Sequence, residues 1–427
     1  MKELILGFLP FIVILPFLFV LLRSKQPAKD YILFCLFFYP VIYSADRNFS
    51  VFQVVSYLYL IYSFRNNRAV FSYASYGLSL YFLIVLFVSA FNSEFVLNAI
   101  FGILKFLPIL IYIHVLLSEL LRNQEFLYEV VRALKITLII AIVFLFLQIV
   151  FGLNFSLFLS DNPNITYEGI RYPGIFQDPQ KFAQFLAALS FVVLISQPNN
   201  PSFSKYNYYL FALAIISLFL TGGRSALLGL ILGLIFIIAF SKAKVKVLGI
   251  IGGVVVIGLI VSLSQYLIVF SREESITESY AVRNAIWQEA LKIVADKPLL
   301  GIGMDNYSKY VERYAPEQSW LVDGEKVYFD HPESGYLKFL TELGILGTLG
   351  VFAFIFSAIY RGLRVFLLKV KDYNILYLIS ALLSWLLGFY SVYSFGDVRI
   401  SILIATIICL IFAYVKMYSK GVTIISE

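Results

Sequence analysis

Apolar runs long enough to cross a lipid bilayer recur along the whole chain, from residues 4–22 to residues 400–415. A membrane-spanning helix needs about 20 predominantly apolar residues. In lipid, only helices and closed barrels satisfy all their backbone hydrogen bonds, and barrel strands would show alternating polarity over roughly ten residues. The runs therefore predict an all-α polytopic membrane protein with about 12–13 transmembrane helices.

The composition leads to the same fold class. Hydrophobic residues make up 60% of the 427 residues and charged residues only 14%, whereas soluble domains carry roughly 25% charged residues. The net charge of +7 needs no nucleic acid partner, because the basic residues gather in short loops, as they do on the cytoplasmic side of membrane proteins. Cys35 and Cys409 both lie in apolar runs, which favours a packing role over a disulfide framework. We predict neither a metal site nor a cofactor.

The basic loops also predict the orientation of the chain. Residues 23–29, 65–68, 241–246 and 361–371 are rich in Lys and Arg, which places them in the cytoplasm. The helices then divide into a first group within residues 1–263 and a C-terminal group within 335–427. Loops 152–180 and 264–334 lie on the outer face. Twelve spans would place the N-terminus inside and thirteen would place it outside, so its side stays open.

The large loop, residues 264–334, is mostly polar in an otherwise apolar chain. Within it Ile286, Ala290, Ile293 and Val294 recur at the spacing of an amphipathic helix. The sequence Asp-Lys-Pro at 296–298 ends that helix, because proline disfavours helix at the residue before it. The loop is therefore predicted to contain at least one short helix, which could lie along the membrane surface.

Four polar stretches fall on the predicted outer face and carry the residues that could support chemistry. They cover residues 171–180, 221–225, 283–303 and 330–344. Their arginines, Arg171, Arg224 and Arg283, suit a diphosphate, because guanidinium is always charged and offers a planar fork of donors to phosphate oxygens. The alternative is that each arginine reaches lipid headgroups or pairs with a carboxylate.

A histidine and a carboxylate lie close together in the last of these stretches. His331 is flanked by Asp330 and Glu333, and a histidine beside a carboxylate suits a general base. The alternative is a loop histidine without a role. The other histidine, His114, lies late in an apolar run and is interpreted as structural.

These stretches, in this order, resemble the O-antigen ligase and O-antigen polymerase superfamily of bacterial membrane glycosyltransferases. The most specific motif is R-x3-W-x2-A followed by D-x-P-x2-G-x-G, which starts at Arg283 and ends at Gly303. A second motif, Y-L-x2-L-x-E-x-G-x-x-G, starts at Tyr336. The segment from Arg171 to Pro179 and the Gly-Arg-Ser turn at 223–225 also match. The resemblance covers residues 150–360 well, and the N-terminal third only as a multi-span region.

The resemblance implies a GT-C-like helical enzyme of surface polysaccharide or lipopolysaccharide biosynthesis in the bacterial cytoplasmic membrane. It implies a glycan donor carried on undecaprenyl diphosphate, a glycan or lipid acceptor, and transfer at the outer face without a metal ion. Carried onto this chain, Arg171, Arg224 and Arg283 would bind the diphosphate. A histidine of the large loop would help to deprotonate the acceptor hydroxyl.

The chain departs from the family at that histidine. The position about three residues before the Tyr-Leu pair holds Glu333, and His331 lies two residues earlier. Either His331 keeps the role through a small insertion, or Glu333 is the base. Because ligases resemble one another most strongly at this histidine, we favour a polymerase, with a ligase as the alternative. A lipid-linked glycan transporter is disfavoured because no internal repeat is visible, and a scaffold would leave the arginines unexplained.

Overall fold

A computed structural model describes residues 2–42, 50–66, 76–153, 155, 170–197, 204–242, 276–315, 319–322, 325–328 and 331–419. The described helices, in chain order, are α1 (Lys2–Arg23), α2 (Pro27–Phe37), α3 (Val51–Arg65), α4 (Tyr76–Phe91), α5 (Val96–Arg122), α6 (Glu125–Phe151), α7 (Pro179–Val192), α8 (Asn207–Thr221), α9 (Arg224–Phe240), α10 (Ile276–Asp296), α11 (Tyr307–Tyr314), α12 (Gly335–Leu368), α13 (Tyr373–Phe389) and α14 (Val398–Ser419). This confirms the predicted all-α fold class.

Four of these helices are long and apolar enough to cross a membrane: α5, α6, α12 and α14. Five shorter apolar helical segments accompany them in α1, α4, α8, α9 and α13. The polytopic membrane class is thus confirmed. The number of 12–13 spans stays a prediction, and the predicted span at residues 247–263 lies outside the described residues.

Three helices continue further into charged sequence than the apolar runs indicate. The mixed segment 118–135 is helical on both sides of a short turn, because α5 reaches Arg122 and α6 begins at Glu125. Similarly, α12 includes much of the basic segment 361–371 and ends at Leu368. Charged side chains are compatible with helix ends that project beyond the apolar layer, so hydropathy alone makes these helices too short.

The large loop contains the predicted amphipathic helix and a hairpin that was not predicted. In α10, Ile286, Ala290 and Ile293 are buried, and the helix ends at Asp296, just before Lys-Pro. Strands β1 (Ser319–Val322) and β2 (Glu325–Tyr328) form an antiparallel pair in which Ser319 lies opposite Tyr328. Asp330 lies outside the described residues.

The loop docks onto the membrane bundle at a break inside α12. Gly344 has φ 63° and ψ −172°, which interrupts the helix. On one side of the break, the backbone N–H groups of Ile302 and Gly303 donate to the carbonyls of Thr341 and Glu342, at 2.9 and 3.0 Å. The loop thus satisfies backbone groups that the break exposes.

On the other side of the same break, α12 donates hydrogen bonds to the loop. The N–H groups of Ile345 and Leu346 donate to the carbonyls of Pro298 and Leu299, at 2.8 and 3.1 Å. The two glycine motifs at 301–303 and 344–347 therefore meet, with backbone against backbone. The glycines at 301 and 303 permit this close approach, because an added Cβ at Gly301 would lie 2.5 Å from the backbone of Glu342 and Gly344.

Candidate functional site

Arg171 lies against the turn that carries Arg224. Its Nε donates to the carbonyl of Thr221 at 3.0 Å, and its side chain covers Gly222, where an added Cβ would lie 3.0 Å from Nε. Only 2% of Arg171 is exposed. The structure therefore brings together the first two polar stretches, and it uses one donor of Arg171 to hold the turn between α8 and α9.

Arg224 occupies the first position of α9. Gly222 ends α8 in the left-handed conformation, with φ 68°, which glycine adopts at no steric cost. Gly223 precedes α9 without a capping side chain, and an added Cβ there would lie 2.3 Å from the Cβ of Ala183. The half-buried side chain of Arg224 and the backbone N–H groups of the first turn of α9 therefore lie close together. This combination suits the binding of an anion.

The segment after Arg171 is held from two further sides. Gln148 on α6 brackets Gly174, accepting from its N–H at 2.9 Å and donating to its carbonyl at 3.0 Å. Arg399 at the start of α14 donates through Nη1 to the carbonyl of Ile175 at 2.5 Å, and its guanidinium lies 4.0 Å from the centre of the Phe176 ring. These contacts fix the backbone that positions Arg171.

Arg399 belongs to a buried ion pair that the sequence analysis missed. It is fully buried, and its Nη2 and Nε lie 2.6 and 2.9 Å from the two carboxylate oxygens of Asp397. Such a bidentate arrangement is among the stronger charge-assisted interactions. The sequence signal was two opposite charges directly before an apolar run, a pattern that also fits residues reaching a membrane surface.

His331 and Glu333 lie together, as their spacing suggested. Nε2 of His331 is 3.6 Å from Oε1 of Glu333, and both side chains are partly buried. Glu333 has a positive φ of 48°, a conformation that costs a non-glycine residue about 1–3 kcal/mol and is found preferentially at functional sites. The His331 ring lies 5.6 Å from the ring of Tyr393.

A second buried ion pair lies on α12 beside Tyr393. Nζ of Lys338 is 2.8 Å from Oε1 of Glu342, and it lies 5.6 Å from the rings of both Tyr307 and Tyr393. Glu342 also accepts the backbone N–H of Tyr307 at 3.0 Å, at the start of α11. Burial raises the pKa of the Tyr307 hydroxyl, so this residue stays neutral beside the pair. Sequence reasoning did not assign Lys338 to the site, although its spacing of four residues from Glu342 is typical of a helical ion pair.

Arg283 lies on α10, one helical turn before Trp287. The indole of Trp287 packs edge-on against Tyr390 at 5.1 Å, and Tyr390 directly follows α13. Residues four apart share a helix face, so Arg283 lies on the face of α10 that carries Trp287. Arg283 thus lies on the loop helix, whereas Arg171 is hydrogen-bonded to the turn that carries Arg224.

The loop is also attached at its far side, through α11. Arg313 binds Glu94 with two hydrogen bonds, of 2.7 and 3.2 Å, in the turn between α4 and α5. This hydrogen bonding lowers the pKa of the Glu94 carboxyl. In addition, the Tyr314 hydroxyl donates to Asp296, which raises the pKa of Tyr314 to about 12.

The four polar stretches thus converge on one end of the helix bundle, which we call the site end. It is defined by Arg171, Arg224, His331, Tyr393 and Arg399. Tyr393 lies on the short connection between α13 and α14, and Arg399 lies in the first turn of α14, so this part of the chain joins the histidine side to the arginine side. The structural interpretation of His114 also agrees with its position, because it is buried inside the bundle with Nε2 2.7 Å from Oγ of Ser79.

Residues 209–352 match the family model described as O-antigen ligase. The matched segment includes Arg224, Arg283, His331 and Glu333, whereas Arg171 lies before it. The match supports the resemblance to the O-antigen ligase and polymerase superfamily, and with it glycan transfer from lipid-linked glycans in a membrane setting. A search of curated proteins finds no match to the chain.

Proposed function

We propose that the chain is a polymerase that extends surface polysaccharide from undecaprenyl-diphosphate-linked repeat units. The glycan leaves its lipid diphosphate and joins a sugar hydroxyl of a second lipid-linked unit. The observation that carries the proposal is the attachment of Arg171 to the turn of Arg224, at the same end of the bundle as the His331–Glu333 pair. The basic loops support placing this end at the outer face of the bacterial cytoplasmic membrane.

In the proposed reaction, the bond between the anomeric carbon of the glycan and the diphosphate oxygen breaks. A bond from the same carbon to the acceptor oxygen forms. Negative charge develops on the leaving diphosphate, and Arg171, Arg224 and Arg283 stabilise it. Preorganised donors that meet developing charge contribute a large part of many enzymes' rate enhancement. No step of this scheme requires a metal ion.

The acceptor proton goes to His331 in this scheme, while Glu333 positions the imidazole. The 3.6 Å approach of Nε2 to the carboxylate supports this division of roles, since a base is commonly oriented by a third group. Glu333 has a positive φ, and in this backbone conformation its carboxylate lies beside the imidazole of His331. Glu333 as the base itself is the alternative.

We expect His331→Ala to lower the transfer rate by about 100-fold, the effect of removing a general base. Glu333→Gln, which keeps the shape of the side chain but removes its charge, is expected to lower it by roughly tenfold. The measurement is the initial rate at saturating acceptor, with Glu312→Gln on the exposed face of α11 as a matched control. A larger loss in Glu333→Gln than in His331→Ala would assign the base to Glu333.

A ligase that transfers the glycan to lipid A core or to a protein is the second candidate. The observation that favours it is the matched family model, which is described as O-antigen ligase. The bond that breaks is the same in both reactions, and only the acceptor differs. The departure at the histidine position favours the polymerase over this candidate.

Reconstitution of the purified protein with undecaprenyl-diphosphate-linked repeat units as sole substrate tests the proposal. A ladder of glycan lengths on a gel is the expected result. No ladder, followed by a single transfer once lipid A core or a protein acceptor is added, would assign the ligase. The rate is expected to stay within about twofold after EDTA treatment, because no Lewis acid takes part in the proposed reaction. Loss of activity that Mg²⁺ restores would contradict this.

A further inference from the structure

A buried lysine closes the first turn of α12, a few residues after His331 and Glu333. The backbone N–H of Lys338 donates to the carbonyl of Ser334 at 2.9 Å. Only 4% of Lys338 is exposed, and its Nζ lies 2.8 Å from Oε1 of Glu342. Burying such a pair costs desolvation that apolar residues of similar volume would avoid. The stability of the bundle therefore does not by itself explain the pair.

The stability of α12 does not explain the pair either. The N-terminal end of a helix favours negative side chains, because its backbone N–H groups leave a partial positive charge there. For a pair four residues apart, glutamate before lysine is the better order. In α12 the order is reversed, with Lys338 before Glu342. The positive charge at position 338 therefore points to a role in contacts with other parts of the chain.

The ammonium group of Lys338 contacts two tyrosine rings that belong to two other elements. Nζ lies 5.6 Å from the centre of the Tyr307 ring, at the start of α11, and 5.6 Å from the centre of the Tyr393 ring. A cation within about 6 Å of a ring centre is attracted to the ring, and more strongly where water is excluded. Glu342 in turn accepts the N–H of Tyr307. The ion pair thus joins the large loop, α12 and the connection between α13 and α14.

Tyr393 connects this ion pair to the histidine. The rings of His331 and Tyr393 lie 5.6 Å apart, at an angle of 47°. Phe339 and Phe389 also pack against Tyr393, with ring centres at 6.1 and 6.2 Å. Aromatic pairs allow more than one relative orientation, whereas an ammonium held by a carboxylate attracts the ring towards one point. Lys338 thus adds a directional contact to a ring that borders the imidazole.

We propose that Lys338 is a positioning residue for His331 that acts through Tyr393, an inference that rests on the proposed function. In the proposed reaction Lys338 contacts neither donor nor acceptor. It fixes the ring on one side of the imidazole, while Glu333 orients Nε2. A general base must lie within hydrogen-bond reach of the proton that it accepts, and a misplacement of about 1 Å can cost about 100-fold in rate.

The test removes the ion pair without leaving an unpaired charge. Lys338→Met/Glu342→Gln keeps the approximate volume of both side chains, and glutamine can still accept the N–H of Tyr307. Uncharged replacements of similar volume are often tolerated at buried pairs, whereas Lys338→Met alone would leave the Glu342 carboxylate without its cation. Arg122→Met/Glu119→Gln, which removes an ion pair near the end of α5, is the matched control.

NMR can observe His331 directly, because the chain contains only two histidines. The full-length protein in detergent, labelled with isotope-enriched histidine, should give two imidazole signals, which His331→Ala assigns. We expect Lys338→Met/Glu342→Gln to move the His331 signal, because the shift depends on the distance and orientation of the Tyr393 ring. The signal of His114, which lies beside Ser79 inside the bundle, should stay in place. The control variant should move neither signal.

Kinetics gives the second measurement. We expect the double variant to lower kcat per folded molecule about tenfold, less than His331→Ala because the base is still present. KM for the donor should stay within about twofold, since the pair contacts no substrate. In a Tyr393→Leu background the same double change should cause no further loss, because Lys338 acts through that ring. An unchanged kcat per folded molecule, or a full additional loss in this background, would overturn the proposal.

Two variants of Tyr393 keep the proposal testable if the double variant does not fold. Tyr393→Leu removes the ring, and it should move the His331 signal and lower the rate. Tyr393→Phe keeps the ring and should retain more of the rate than Tyr393→Leu. A His331 signal that stays in place in Tyr393→Leu would overturn the proposal.

Failure of this inference can be distinguished from failure of the proposed function, because the NMR signal needs no transfer chemistry. If the double variant moves the His331 signal but the wild-type protein transfers no glycan, the positioning of His331 by Lys338 is supported and the polymerase is rejected. Glycan transfer together with a His331 signal that does not move would retain the polymerase and reject the role of Lys338.

Discussion

Arg224→Ala is expected to lower glycan transfer by about 100- to 1,000-fold, the cost of removing one preorganised donor from developing charge. Arg224 begins α9, is half-buried, and projects from a turn held by Arg171. Arg224→Lys should recover only part of the rate, because lysine keeps the charge but loses the planar fork. The measurement is the initial rate with purified protein, together with the amount of surface polysaccharide in cells.

A matched arginine on another part of the bundle provides the control. Arg122 ends α5, its side chain is 68% exposed, and it pairs with Glu119 one turn earlier. Arg122→Ala is expected to retain the wild-type rate, since exposed ion pairs contribute little. If Arg224→Ala polymerises normally while present at wild-type levels in the membrane, the phosphate-binding hypothesis fails.

Arg224 is a sharper test than Arg171 or Arg283. Arg171→Ala would also remove the hydrogen bond to the Thr221 carbonyl and leave a cavity in the core, so lost activity could reflect lost structure. Arg283 lies on the loop helix, whereas a direct hydrogen bond holds Arg171 against the turn of Arg224. We expect Arg283→Ala to lower the rate in the same direction as Arg224→Ala.

The membrane fold and the amphipathic loop helix follow from sequence because they depend on local periodicity. The burial of Ile286 and Ala290, and the end of α10 at Asp296, agree with the pattern and with the proline rule. The candidate residues were also predictable by type, since arginine forks and histidine–carboxylate pairs have chemistry that does not depend on the fold. Their assignment to the site itself stays a prediction.

The features that the sequence did not predict depend mainly on contacts between distant parts of the chain. Asp397 and Arg399 look like interfacial charges in sequence, and their burial depends on Ile175 and Phe176, more than 200 positions away. The hairpin at 319–328 is too short for a periodic signal. The break in α12 is absent from the local pattern, because the residues around Gly344 are compatible with a continuous helix. Only the approach of residues 298–303 explains it.

The close approach of residues 298–303 to Gly344 leads to a second prediction with a large expected effect. Gly344→Ala is expected to destabilise the protein by about 2–6 kcal/mol, the sum of two costs. Its φ of 63° with ψ −172° belongs to a region that only glycine adopts without strain. In addition, an added Cβ would lie 2.3 Å from the carbonyl oxygen of Leu299 and 2.5 Å from the nitrogen of Gly301. These are backbone atoms, so no side-chain rotation relieves the clash.

Gly152→Ala separates the cost of the backbone conformation from the cost of the steric clash. It follows α6 with φ 82° and ψ 171°, nearly the same backbone conformation, but an added Cβ meets nothing within 4 Å. Gly152→Ala should therefore lose only the conformational part, about 1–3 kcal/mol. The loss in Gly344→Ala beyond that measures how firmly residues 298–303 occupy the break. The readouts are the thermal inactivation half-life in detergent and the yield of monodisperse protein.

Equal losses in the two variants would mean that residues 298–303 can withdraw from the break without cost, and that the loop is not fixed by this pairing. A larger loss in Gly344→Ala would mean that the glycine motifs hold the loop in place. In that case His331 and Glu333, which lie between α11 and the start of α12, keep their position through the backbone pairing at the break. Activity per folded molecule should then fall together with stability in Gly344→Ala, whereas Gly152→Ala should keep its activity per folded molecule.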